Sequence, residues 1–149
     1  MSQAEEPEPE SASDLIHRVR VFVFGFQASQ ANYLLVRRDQ GVESFWTPLH
    51  GVLGHGEKLE HAVCREVRED AGSLRPLEVI DLKMPAVYRL GDEQVIEWAY
   101  GCRAGAGQVE LQEGWAEYRW ADFTEAFPAL EFEQDRAAIM RLHTLLHAA

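Results

Sequence analysis

Residues 51–73 read Gly51-Val-Leu-Gly-His-Gly-Glu57-Lys-Leu-Glu-His-Ala-Val-Cys-Arg65-Glu66-Val67-Arg-Glu69-Asp70-Ala-Gly72-Ser73, a glycine-rich approach to a stretch with helical periodicity. No glycine or proline interrupts Glu57 to Ala71, and Gly72 stands where a helix end favours a residue free to take positive φ. With Glu66 at zero on a helical wheel, Leu59, Ala62, Val63 and Val67 fall between about −40° and +100°; Glu69 lands at about −60° and Asp70 at about +40°. Lys58, His61, Arg65 and Arg68 occupy the opposite arc. The apolar arc is expected to turn inward, so three carboxylates share the buried side and the cations face water. Such acids repel one another, and burial adds to the cost. An ordinary solvated face of i,i+3 and i,i+4 ion pairs would set the acids among the bases instead. A divalent cation relieves both penalties, and oxygen-only ligands suit Mg²⁺ or Mn²⁺ rather than Zn²⁺. Glu66, Glu69 and Asp70 are the expected metal ligands.

The 149 residues around this segment suffice for one domain and are too few for two well-cored ones. With 46% apolar and 26% charged residues the composition is that of a globular protein. No run of 18 apolar residues is present, and the acidic start lacks the apolar stretch of a secretory signal. A net charge of −11 argues against a grip on nucleic-acid polymer or on a membrane surface. A small polyanion fits if metal ions supply the positive charge. Cys64 and Cys102 match no metal spacing and read as reduced thiols of a cytoplasmic protein. Residues 1–13, with four glutamates, two prolines and no aromatic, are expected to form a disordered acidic tail ahead of a domain over 14–149.

The rest of the body reads mainly as strands. Arg18–Phe26 and Tyr33–Arg37 have strand composition, joined by a turn around Ser29–Asn32. A third short strand starts at Phe45-Trp46, and a loop is expected from Pro48 to Gly56. Strand-like stretches follow at Leu77–Leu82, Ala86–Leu90, Val95–Arg103 and Tyr118–Trp120. A short helix near Asp122–Ala126 and a terminal one near Phe132–His147 close the chain. Helices among many strands predict an α/β sandwich around a mixed sheet.

The spacing Gly51-x5-Glu57-x7-Arg65-Glu66-Val67-x-Glu69-Asp70-x-Gly72 closely resembles the Nudix box, G-x5-E-x7-R-E-U-x-E-E-x-G-U with U a bulky aliphatic. The resemblance implies a Nudix-type α/β/α sandwich and a pyrophosphohydrolase that directs water at a phosphorus of a nucleoside-diphosphate-linked substrate with Mg²⁺ or Mn²⁺. It maps the ligands onto Glu66, Glu69 and Asp70. Glu57 and Arg65 take the places of an ion pair that orients them. Gly51 lies in the loop whose carbonyl often adds a ligand. Asp70 replaces the last glutamate, Ser73 the final aliphatic, and His50 and Gly54 stand where the commonest loop has glycine and glutamate.

The general base of the family often comes from a loop acid outside the box, which makes Glu113 and Glu117 candidates. His50 and His55 flank the glycine-rich loop, as phosphate contacts, bases or plain loop histidines; His61 reads as a surface residue. Trp46, Tyr88, Trp98 and Trp115 are available to stack on a ring, although each also suits strand packing.

The run Glu117-Tyr-Arg-Trp120, Glu125-Ala126 and Phe132-x3-Arg136-x-Ala138-Ile139, together with Phe45-Trp46, resembles the subgroup of dihydroneopterin triphosphate and dATP pyrophosphohydrolases. That resemblance implies a nucleoside or pterin triphosphate cleaved to monophosphate and pyrophosphate. The alternatives are a dinucleotide polyphosphate or ADP-ribose hydrolase, or a Nudix-fold binding or sensor module without turnover. Many Nudix hydrolases pair, and the apolar Val21–Phe24 strand suggests a homodimer here too.

Overall fold

The computed structural model describes residues 15–38, 45–105 and 107–148. The acidic stretch of residues 1–13 lies outside them. Seven strands form one mixed sheet: β1 (Leu15–Gln27), β2 (Gln30–Arg38), β3 (Trp46–Thr47), β4 (Leu49–Val52), β5 (Pro76–Leu90), β6 (Glu93–Ala104) and β7 (Trp115–Ala121). Three helices pack with it: α1 (Leu59–Ala71), α2 (Phe123–Ala129) and α3 (Glu133–Leu146).

Strand β1 is the spine. Along one edge it runs parallel to β6 over Leu15–Phe24. Its other edge is shared: Arg18–Val21 pair with β4, and Phe24–Gln27 pair with β2. Strand β2 continues outward to β3 and β7. The β1–β2 hairpin closes on Ala28 and Ser29, both at positive φ (52° and 70°), the two-residue geometry that matches strand twist.

Alternation along β1 divides the core in two. Val19, Val21 and Val23 face α1 and bury Ala62, Val63, Val67 and Ala71. Phe22 and Phe24 face the other way, toward Ala126 of α2 and Ala138, Ile139 and Leu142 of α3. Helices therefore cover both faces of the sheet, as the strand and helix pattern predicts.

Three sequence expectations change. The loop expected over Pro48–Gly56 contains β4, because His50 and Gly51 face a free segment of the β1 edge and pair with Arg20 and Val19. The two strands expected at Leu77–Leu82 and Ala86–Leu90 are one, β5, whose register slips between Asp81 and Pro85. Lys83 there takes φ 56° and its N–H donates to Asp81 Oδ1. Among the described residues strand β5 pairs only with β6, so an edge proline costs no ladder bond. The carboxylate helix starts at Leu59, two residues later than expected, with Lys58 as a cap residue that offers no side-chain bond.

Gly72 ends α1 at φ 72°, ψ −118°. A Cβ there would stand 2.5 Å from Glu110 Cβ and 3.0 Å from the Glu110 backbone N and O. Conformation and space both demand glycine. Gly72→Ala should cost about 2–3 kcal/mol and lower the melting temperature by about 4–12 °C for a domain of this size. Calorimetry measures this, and an unchanged melting temperature would show that the α1 end can relax.

Candidate active site

The site is built from α1 and the β4 strand beside it. Helix α1 lays its apolar stripe on β1, which carries Glu66 to the seam with β4. Glu66 is only 6% exposed. The seam closes around it because residue 51 has no side chain: a Cβ on Gly51 would sit 2.0 Å from Glu66 Oε2 and 2.4 Å from its Cδ. The glycine at this position is thus a requirement of the carboxylate, not of backbone torsion.

Arg65 organises the acids around it. Its Nε and Nη2 donate to the two oxygens of Glu57, at 2.7 and 2.9 Å. Its Nη1 reaches Glu66 Oε2 at 3.0 Å and Glu69 Oε1 at 3.1 Å. Nη2 also donates to the Val52 carbonyl at 3.0 Å, which ties α1 to the end of β4. The wheel turns Arg65 toward solvent, but its long arm folds back along the helix and places the charge among the acids. The Glu57 carboxyl is held at about 2 by Arg65 and by the Gly54 N–H that donates to it at 2.8 Å. This double contact folds the Gly54–Glu57 turn onto the helix.

Glu66 moves the other way. Burial raises its pKa, and the hydrogen bond and charge of Asp70 raise it further against the opposing pull of Arg65. Two carboxyls four residues apart share one face, as the wheel indicates. Glu69 leans away to Arg65 and is 54% exposed at its side chain. Among the described residues no three His, Cys, Asp or Glu side chains converge at metal-holding distance. The donor chemistry nevertheless suits a hard divalent ion. Glu66 and Asp70 present oxygen only and repel one another, and the Gly51 backbone leaves room for the Glu66 carboxylate. Glu69 would join them by changing rotamer away from Arg65.

The other expected site residues separate into two groups. His50 adjoins the seam. Its ring is half-buried, with Nδ1 2.9 Å from Arg18 Nη2 and its centre 5.4 Å from that of the Trp115 ring, edge to face. Burial, with the nearby guanidinium groups of Arg20, Arg18 and Arg38, lowers its pKa to about 3. His50 is therefore neutral, and with Nδ1 facing a guanidinium it is a poor proton acceptor. His55 and His61 are exposed.

Trp46 and Glu117 lie elsewhere. Arg37 is opposite both in the β2 ladders, so the three share the sheet face away from α1. Glu117 forms an ion pair with Arg37, and the Arg37 guanidinium lies 4.7 Å from the Trp46 ring centre. The fold does not bring Glu117 to the carboxylate helix. Glu113 is exposed in the turn before β7. Trp98 packs against the α1-side core, and Trp115 lies under Arg38 at 4.1 Å.

Sequence reasoning missed Arg18, Arg20, Glu97 and Asp135, a buried charge network on the far face. Glu97 and Asp135 are 6% and 1% exposed. A signal was available in Arg18-Val-Arg20 and Ile96-Glu97-Trp98, where charges occupy inward positions of otherwise apolar strands.

Gly51→Ala should displace Glu66 and weaken Mn²⁺ binding at least tenfold, about 1.4 kcal/mol, and Glu66→Gln should do the same. Paramagnetic titration measures this, and wild-type affinity in Gly51→Ala would show that Glu66 is free to relocate.

Among the solved structures that share the fold are three with named activities or ligands. The Ap4A hydrolase of C. elegans aligns with a TM-score of 0.70 at 17% identity, over 90% of this chain and 99% of that one. The E. coli dihydroneopterin triphosphate pyrophosphohydrolase aligns at 0.70 and 18%, over 87% and 95%. The Nudix domain of Shewanella oneidensis NrtR, crystallised with ADP ribose, aligns at 0.72 and 17%, over 89% and 88%. The sequence model of the NUDIX domain matches residues 16–142, which spans the sheet, the carboxylate helix and most of α3. The chain belongs to the NUDIX domain family.

Proposed function

We propose that the protein hydrolyses a nucleoside or pterin triphosphate to the monophosphate and pyrophosphate, with Mg²⁺ or Mn²⁺ at Glu66, Glu69 and Asp70. The observation that carries this reading is the buried Glu66 carboxylate, pressed on Gly51 and crowded by Asp70. A buried anion beside a second acid favours bound cation over water. When bound, the ion neutralises phosphate oxygens and lowers the pKa of a coordinated water.

The protein's own residues do the rest. Arg65 sets the position of the site: one guanidinium holds Glu57, Glu66 and Glu69 and fixes the helix to the Val52 carbonyl. Glu57 stays ionised and holds the Gly54 turn, at the wall of a cavity of about 330 Å³ that Ile16, His17 and His55 also border. That cavity is open to a phosphate chain arriving beside α1. With a net charge of −11, the protein favours a substrate delivered as its metal complex over a bare polyanion. The triphosphate assignment is supported by the resemblance of the Glu117–Ile139 region to the pterin and dATP enzymes. Its free thiols, Cys64 and Cys102, suit the reducing cytoplasm. A homodimer is proposed on the family habit of pairing; a 17 kDa particle in light scattering would reject it.

Glu69→Gln should lower the rate on the best triphosphate at least a hundredfold and weaken Mn²⁺ binding, while the melting temperature shifts by less than about 3 °C. Equal Mn²⁺ affinity in the two proteins removes Glu69 from the ligand set. A substrate panel of dATP, dihydroneopterin triphosphate, ADP-ribose and a diadenosine polyphosphate tests the rest. A kcat/KM for either of the last two more than tenfold above both triphosphates, about 1.4 kcal/mol in transition-state binding, overturns the triphosphate assignment. Tight binding of all four without turnover would instead mark a sensor module.

A further inference from the structure

The end of α3 carries two histidines that the carboxylate site does not use. His143 and His147 stand four residues apart, so they share one face of the last turn. Their ring centres lie 4.3 Å apart, with the planes tilted by 48°. His143 also stacks on Phe123 of α2, with centres 4.2 Å apart and planes within 16°. Its Nδ1 lies 2.8 Å from the hydroxyl of Tyr33, a fully buried residue of β2. The imidazole is thus fixed from three elements and half-buried, while His147 beside it is exposed.

The Tyr33 contact decides which nitrogen of His143 can take a ligand. A hydroxyl both donates and accepts, so it holds Nδ1 in either tautomer. Nε2 is the nitrogen left over, and among the described residues no hydrogen bond uses it. Burial, helped by the neighbouring His147, lowers the pKa of His143, so the ring is neutral and keeps a lone pair at neutral pH. The helix end adds a second attraction for a cation. The His147 N–H bonds the His143 carbonyl, and the other carbonyls of the last turn concentrate negative potential beside the two rings.

We propose that His143 and His147 bind a borderline divalent ion, Zn²⁺, at a site separate from the carboxylates of α1. Imidazole nitrogen suits Zn²⁺, whereas carboxylate oxygen suits Mg²⁺ and Mn²⁺, so the two sites select different ions. Two histidines four residues apart on one helix face are the spacing that helical zinc motifs use. His143 ligates through Nε2, and its Nδ1–H donates to Tyr33 Oη. Such an outer hydrogen bond fixes ring orientation and tautomer in metal sites. Among the described residues no third His, Cys, Asp or Glu converges with the pair. Water fills the remaining positions, which makes this an open, exchangeable site rather than a closed structural one.

The bound ion has a mechanical consequence. It holds the last turn of α3 to His143, which is itself held by Tyr33 of β2 and Phe123 of α2. The first turn of the same helix is held by Asp135 on Arg20. The ion therefore secures the second end of the helix that covers the sheet face away from α1. Binding to the folded chain alone raises its stability by mass action.

The test uses the full chain, with excess Mg²⁺ present to occupy the carboxylate helix. Calorimetry follows a Zn²⁺ titration, and nitrogen NMR of the histidine rings follows the ligands. The expected result is one Zn²⁺ per chain, shifts at His143 Nε2 and at the His147 ring, and a melting temperature that rises with Zn²⁺. His147→Ala should weaken Zn²⁺ binding at least tenfold. Tyr33→Phe, which keeps the ring but removes the orienting hydroxyl, should weaken it about 10–100-fold. Glu69→Gln should leave it unchanged. Should Tyr33→Phe fail to fold, His147→Ala at its exposed position still decides. Wild-type Zn²⁺ affinity in His147→Ala overturns the site. A loss in Glu69→Gln without a loss in His147→Ala also overturns it, by placing the ion on α1. Shifts confined to the other four histidines do so as well.

Discussion

Everything at the carboxylate helix depends on one close approach, the Glu66 carboxylate lying on the Cα of Gly51. An acid at a helix–strand seam is costly to bury, and it can be placed there only where the strand offers no side chain. That contact sets the distance between α1 and β4. It also places Arg65 where it can hold Glu57, Glu66 and Glu69 at once and reach the Val52 carbonyl. The glycine-rich turn after β4 is then folded back by Glu57, whose low pKa records how firmly Arg65 and the Gly54 N–H hold it. Remove the glycine and the acid has nowhere to sit; remove Arg65 and three carboxylates lose their counter-charge together.

The spine strand distributes the work. Its odd residues build an apolar bed for α1, and its even residues pass from Arg18 and Arg20 to Phe22 and Phe24 under α3. Strand β1 therefore carries two chemistries on two faces: a seam for acids on one, a buried charge network on the other. Strand β4 has Gly51 toward the helix and His50 toward the opposite face. His50 is kept neutral by burial and by three guanidinium groups, which suits a spacer between an anionic and a cationic region better than a titrating base.

Rigid support and solvent access are divided in a similar way. Arg20 and Asp135 close on each other and secure α3, and Glu97 pairs with both Arg18 and Arg20. On the α1 side, the Arg65–Glu57 pair is closed, whereas Glu69 remains mostly exposed. On each face one bidentate arginine–carboxylate pair holds an element in place.

The linear order of residues 51–73 carried most of what could be read in advance. Periodicity identified the helix and its buried stripe, glycine at 72 marked its end, and the offsets between Gly51, Glu57, Arg65, Glu66 and Glu69 identified the family, because all these depend on contacts a few residues apart. Strand composition likewise identified the β1, β2 and β6 segments. What the chain order concealed depends on pairing between distant segments. Strand β4 looked like loop because its glycine, histidine and valine form a ladder only where the β1 edge is free. The two halves of β5 looked separate because a left-handed Lys83 lets one strand slip register and continue. Glu117 stood near the expected position of a base, but the β2–β7 register turned it to Arg37 on the face away from α1. The buried network of Arg18, Arg20, Glu97 and Asp135 joins residues as much as 115 positions apart, and no local pattern reports a partner at that range.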